Sequence, residues 1–210
     1  MPKVTSIEPQ KRREEFFNIF LDGRFAFSLS AIDLTKAGLG VDQELSIEKV
    51  NSLIKERDFS LNFDRVLKFL SFRPRSEFEI NEYLLRKGVG GETRKMVMEK
   101  LKQFKLLDDE AFAKWWLDQR SGSRPKGSRL VKFELQRKGI KKEMVDSLLA
   151  ENRPSATDAI LAEKVARKRL ERLKNLPTLE IKKKLFSSLA QKGFSYEVIK
   201  ETVAKLVKKG

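Results

Sequence analysis

The sequence predicts a mainly α protein. We expect three tandem three-helix repeats forming an elongated curved rod, with a small N-terminal β-hairpin and strand-rich extension. Three observations predict this. Apolar residues make up 40% of the chain and charged residues 36%, which suits amphipathic helices better than a large buried sheet. Three heptapeptides, YLLRKGV at 83–89, ELQRKGI at 134–140 and SLAQKGF at 188–194, share one pattern. Near the start, two apolar-rich runs flank Asp22-Gly23.

Residues 1–60 form the extension and a connecting helix. The Asp22-Gly23 dipeptide suits the positive φ angles of a two-residue hairpin turn. After it Phe25, Phe27 and Leu29 alternate with Arg24, Ala26 and Ser28, the period of a strand. VTSI at 4–7 adds a third strand. Ser30 is placed to cap a short helix ending at Gly38. Ser46 opens a helix whose apolar residues Ile47, Val50, Leu53 and Ile54 have helical spacing, and which can continue past residue 60.

The repeats follow at 61–107, 108–153 and 154–210. Aligned on Gly88, Gly139 and Gly193, each carries a lysine one residue before, a leucine four before, an apolar residue eight before, and an apolar residue one after. A helix stop explains that spacing. Glycine takes the left-handed conformation just past the last turn, and the next residue folds back on the leucine. Lys87, Lys138 and Lys192 sit at the negative end of the helix dipole. These residues read as scaffold. Ser76 with Glu79 has the spacing of a capping box. Asp108, Thr178 and Ser195 are placed to cap later helices. Met96, Val97 and Leu101 match Met144, Val145 and Leu148, and then Val198, Ile199 and Thr202 or Val203. A unit of about fifty residues buries little core alone, so neighbours must stack.

RSGSRPKGSRL at 120–130 has the glycine spacing of a phosphate-binding loop, but Ser128 stands where the lysine belongs. Such a loop joins a strand to a helix, whereas the preceding DDEAFAKWWLDQR is helical, so nucleotide binding by this loop is not expected. The charge around it is a different matter. Arg120, Arg124, Lys126, Arg129 and Lys132 cluster here, and Arg73 and Arg75 occupy the corresponding junction of the first repeat. Arg73 and Arg124 both fall fifteen residues before their glycine. The third repeat carries its charge on a helix, at Lys164, Arg167, Lys168, Arg169, Arg172 and Lys174. With Arg137 these residues are the candidate contacts, because guanidinium groups suit bidentate phosphate or carboxylate contacts. Of the adjacent Trp115 and Trp116, one is expected in the core. The other is expected half-buried, with stacking on a base or a partner as its alternative role.

Net charge is +15, and it is unevenly distributed. Residues 1–60 balance at −1 and residues 61–210 at +16. A long positive field favours a polyanionic partner. There is no cysteine and no histidine, which excludes disulfides, zinc-finger ligand sets, cysteine nucleophiles and histidine bases. No metal site, cofactor or catalytic residue is expected. The first fifteen residues lack the apolar core of a signal peptide and no apolar run is long enough to span a membrane, so the expected location is cytoplasmic, with no membrane partner.

LSFRPRSEFEINEYLLRKG, LLDDEAFAKWWLDQR and KGSRLVKFELQRKGI together resemble the RecX family of bacterial recombinase regulators. The order and spacing of these stretches carry the resemblance, strongly over 61–153 and more loosely over 154–210. The N-terminal EEFFNIFLDGRFAFSLS is similar to the strand-rich extension of some members. The resemblance implies a non-enzymatic protein that binds the RecA filament on single-stranded DNA and lies in its groove; a monomer is expected. It also implies restraint of ATP hydrolysis and strand exchange during recombination and repair, and weak binding to DNA alone. The third repeat departs from the family pattern by having Pro177-Thr178 in place of a basic junction. The alternative is a standalone nucleic-acid-binding protein without a recombinase partner.

Overall fold

The computed structural model describes residues 1–11, 13–122, 124–153 and 155–207, with the side chains of Arg13 and Ser155 excepted. Ser123 of the near-miss loop lies outside them. The chain divides into two compact units, one of residues 1–72 and 83–104, the other of residues 73–82 and 105–210.

The first unit contains an antiparallel sheet of β1 (Val4–Gln10), β2 (Arg13–Leu21) and β3 (Arg24–Ser30), in that order. Asp22 and Gly23 turn the β2–β3 hairpin at φ of 48° and 77°. Phe27 and Leu29 are buried as the alternation predicts, but Phe25 is 58% exposed. The cause is a bulge. Phe20 pairs with Phe25 and Ile19 with Phe27, so Ala26 is the extra residue and the inward face flips beyond it. Ser30 caps α1 (Ala31–Ala37) through the Asp33 N–H, and Gly38 ends it at φ 60°. Ser46 caps α2 (Ile47–Ser71), which runs through residue 60. The sheet, α1 and the start of α2 enclose one core, centred on Val4, Ile19, Phe27, Leu29 and Leu53. Farther along α2, Phe69 stacks on Tyr83 with ring centroids 4.3 Å apart.

The remaining helices are α3 (Glu77–Arg86), α4 (Gly91–Gln103), α5 (Asp109–Ser121), α6 (Ser128–Arg137), α7 (Lys142–Asn152), α8 (Ser155–Leu170), α9 (Thr178–Gln191) and α10 (Tyr196–Val207). The three glycines end α3, α6 and α9 as the sequence predicts. Val89, Ile140 and Phe194 donate their N–H groups to the carbonyls of Leu84, Leu135 and Leu189, and each glycine donates to the carbonyl three residues before it. That is the Schellman pattern at all three sites. The paired leucines are fully buried, as are Ile80, Val131 and Leu185 one turn earlier. Met96 is exposed while its counterparts Met144 and Val198 pack inward. Asp108 and Ser195 cap as expected. Thr178 does not. It is the first residue of α9, whose cap position is Pro177 and has no side-chain bond.

Within the second unit one junction occurs twice. Ser76 Oγ, at the start of α3, donates to the Lys138 carbonyl, and the Glu77 N–H donates to Asp109 at 2.8 Å. Twelve residues before its own glycine, Gly127 donates to the Lys192 carbonyl at 2.8 Å, and the Ser128 N–H donates to Asp158 at 2.9 Å. In both cases the first turn of one helix lends its free N–H or hydroxyl to a glycine turn and an aspartate farther along the chain. Helix α6 has no side-chain cap of its own, and these partners satisfy donors that would otherwise be orphaned.

Candidate polyanion interface

The structure divides the predicted basic residues by what neutralises them. Arg73 makes a two-pronged contact with Glu79, 2.9 Å on each prong, and Lys138 reaches the same carboxylate. Ser76 still caps the Glu79 N–H, but the Glu79 side chain goes to these two cations, which corrects the capping-box expectation. Arg120, Lys126 and the Trp116 indole N–H converge on Glu134 at 2.7, 2.5 and 2.9 Å. Lys132 pairs with Asp146, and Arg167 with Glu163. Arg75 is half-buried, and burial together with Arg73 draws its guanidinium pKa down.

Both tryptophans belong to this network. They pack with Phe112 on the core of the middle repeat. The Arg73 guanidinium lies 5.4 Å from the Trp115 ring centroid, and Arg120 and Lys138 lie 4.1 and 4.4 Å from that of Trp116. Trp116 is thus held by two cations and a carboxylate, which favours a packing role over base stacking.

Burial pushes the Glu79 carboxyl up, but hydrogen bonds from Arg73 and Lys138 outweigh it and hold it below the ordinary 4.5. Glu134 shows the same balance, with Lys126, Arg120 and Trp116 as its donors. A carboxylate with a lowered folded pKa stabilises above its unfolded pKa, and that contribution is lost as pH falls through the folded value. The second unit is therefore expected to keep its thermal midpoint from neutral pH down to about 5 and to lose it progressively below about 4.5. Glu79→Gln/Glu134→Gln should flatten that acid limb, measured as melting temperature against pH.

A second set of cations has no such partners. Arg124, Lys164, Lys168, Arg169, Arg172 and Lys192 line one open cavity of about 360 Å³. They come from the α5–α6 connection, from α8 and the turn after it, and from the end of α9. Pro125, Val165 and Ser188 complete the lining, and no carboxylate belongs to it. Among the described residues no acidic group pairs with Arg124, Lys168, Arg169 or Arg172, and Lys164 reaches only the Gly122 carbonyl, at 3.4 Å. Arg129 and Arg137 are exposed elsewhere on the same unit, Arg137 over the Phe133 ring. Lys192, read from sequence as scaffold alone, joins the cavity. It shares that lining with α8 side chains far from it along the chain, a proximity that sequence spacing does not reveal.

Family models match this chain in order along its length. That of the regulatory protein RecX N-terminal domain covers residues 2–46. Those of the first, second and third three-helix domains of RecX cover 63–101, 108–149 and 159–203. The chain belongs to the RecX family. Relatives named Regulatory protein RecX include one from Bacillus licheniformis, 34% identical over 95% of this chain and 75% of its own. Another, from Clostridium beijerinckii, is 32% identical over 99% and 97%. A crystal structure of regulatory protein RecX superposes with a TM-score of 0.68 at 28% identity, covering both chains fully. That of RecX from Lactobacillus salivarius shares the fold, with a TM-score of 0.62 at 23% identity over 71% of this chain. The glycine-terminated repeats are thus the three-helix domains of the RecX family, and among the described residues no helix is long and apolar enough to cross a membrane.

Proposed function

We propose that this protein binds the filament RecA recombinase forms on single-stranded DNA, lies along its groove, and restrains ATP hydrolysis and strand exchange without chemistry of its own. Its relatives are named regulatory proteins. The observation that carries a polyanionic partner is the cavity with six cationic side chains and no carboxylate in its lining. The exposed Arg124, Arg129, Arg137, Lys168, Arg169 and Arg172 are the contacts assigned to the filament, with Lys164 and Arg167 beside them. Arg73 is assigned to the junction of α3 with the end of α6, and Arg120, Lys126 and Lys132, paired inside the middle repeat, to holding that repeat together. Substoichiometric addition to a cognate recombinase should depress its DNA-dependent ATP hydrolysis, read as phosphate release. No depression at micromolar concentration would remove the regulator, and tight, strongly salt-dependent binding to bare nucleic acid would then favour the standalone binder.

A further inference from the structure

We infer that the cavity between the α5–α6 connection, α8 and the end of α9 is this protein's polynucleotide-phosphate site, taking successive backbone phosphates of single-stranded DNA. The inference deepens the polyanion reading above and names where in the molecule it acts.

The repeated junction supplies the argument. In its first occurrence Arg73, fifteen residues before Gly88, and Lys138, one before Gly139, meet on the Glu79 carboxylate. In its second, the corresponding Arg124 and Lys192 both line the cavity. Nine residues before its glycine, where the first repeat has Glu79, the second has Leu130. The same two cations recur without the acid that neutralises them. Lys164, Lys168, Arg169 and Arg172 add to them from α8 and the turn after it.

Six like charges around one cavity repel one another and favour a ligand that brings several negative charges. A single carboxylate brings one. A polynucleotide brings a phosphate at each nucleotide, and three of the six cations are arginines, which hold phosphate oxygens in pairs. Pro125 and Val165 also line the cavity, but its cations stay open to solvent, so each contact is expected to weaken as salt rises. The lining has no aromatic side chain on which a base could stack, so the contact is assigned to phosphate.

The test needs no recombinase. Fluorescence anisotropy would follow a labelled thymidine oligomer, and an abasic oligomer of equal length, over a range of salt. The two should bind alike, because they carry the same phosphates. Lys168→Ala/Arg172→Ala should weaken both by about tenfold and flatten the log–log salt slope by roughly 1.4, from about 0.7 per cation lost on a single strand. The matched pair Lys182→Ala/Lys183→Ala, exposed on α9 and outside the cavity, removes the same charge and should cost less than threefold. The cavity variant should melt no lower than the parent, because it relieves repulsion. If it does melt lower, Lys168→Gln/Arg172→Gln repeats the measurement with longer side chains.

An equal loss from the two alanine pairs would overturn the inference in favour of diffuse attraction. Failure of the abasic oligomer to bind would overturn it in favour of base contacts. Cavity-dependent DNA binding without any effect on recombinase ATP hydrolysis would leave this site standing and remove the regulator alone. ATPase depression that survives the cavity substitutions, with DNA binding unchanged, would do the reverse.

Discussion

Gly139→Ala and Gly193→Ala should each destabilise the second unit by about 3 kcal/mol, while Gly88→Ala should cost only about 1 kcal/mol. The three glycines are alike in sequence and in backbone, with φ of 82°, 83° and 72°. A Cβ at any of them is strained, because left-handed φ is unfavourable for residues with side chains. What differs is the space. A Cβ on Gly88 meets nothing within 4 Å. On Gly139 it would press on Phe78, and on Gly193 on the backbone and Cβ of Leu130, well inside contact distance.

Phe78 and Leu130 belong to the helices that donate into the two glycine turns, so the added methyl would push apart the elements held by Ser76–Lys138 and Gly127–Lys192. Overpacking of that kind costs roughly 1–3 kcal/mol beyond the strain. Calorimetry of the three variants separates the terms. Equal shifts at all three would mean that the glycines serve only their own helices. A larger shift at Gly139 and Gly193 would show that they also serve the junctions.

The features legible in the sequence were the local ones. A Schellman turn is specified within about six residues, so the repeats, their helix ends and most caps could be read from spacing alone. Ion pairing could not. Lys138 and Glu79 are 59 residues apart, and nothing near Glu79 in sequence distinguishes a capping side chain from one drawn to two cations. The same holds for Trp116, whose carboxylate partner Glu134 lies on the next helix. Phe25 was misplaced because a bulge shifts the period of two without leaving a glycine to mark it. Of the basic residues, the sequence gives the inventory but not which are neutralised. That distinction, between Arg73 on Glu79 and Arg124 at the open cavity, is what turns a charge count into a candidate site.

Asp158→Ala should be the most damaging single substitution of a polar residue, at about 3–5 kcal/mol, because it leaves a buried charge without its counter-ion. The Asp158 and Arg153 side chains are 8% and 2% exposed, with Oδ1 3.1 Å from Nε. Asp158 Oδ2 also accepts the Ser128 N–H, and the Arg153 guanidinium donates to the Lys126 carbonyl. Burial draws the Arg153 pKa down, and Asp158 offsets only part of that. The pair thereby ties the segment entering α8 to the start of α6 and to the connection that carries Arg124. Removing Asp158 strands both the guanidinium and the Ser128 N–H.

Asp158→Asn keeps an acceptor and should cost less. Arg153→Met/Asp158→Ala removes the stranded charge and should recover part of the loss, as expected when a buried ion pair is replaced rather than broken. Urea unfolding followed by the fluorescence of Trp115 and Trp116 reports on the adjoining repeat directly. A loss under about 1 kcal/mol for Asp158→Ala would mean that water replaces the carboxylate there. The junction would then rest on the glycine turns alone, and the cavity would keep its DNA affinity in that variant. If the loss is large, affinity for the oligomer should fall together with stability, because Arg124 is positioned by the connection that the aspartate anchors.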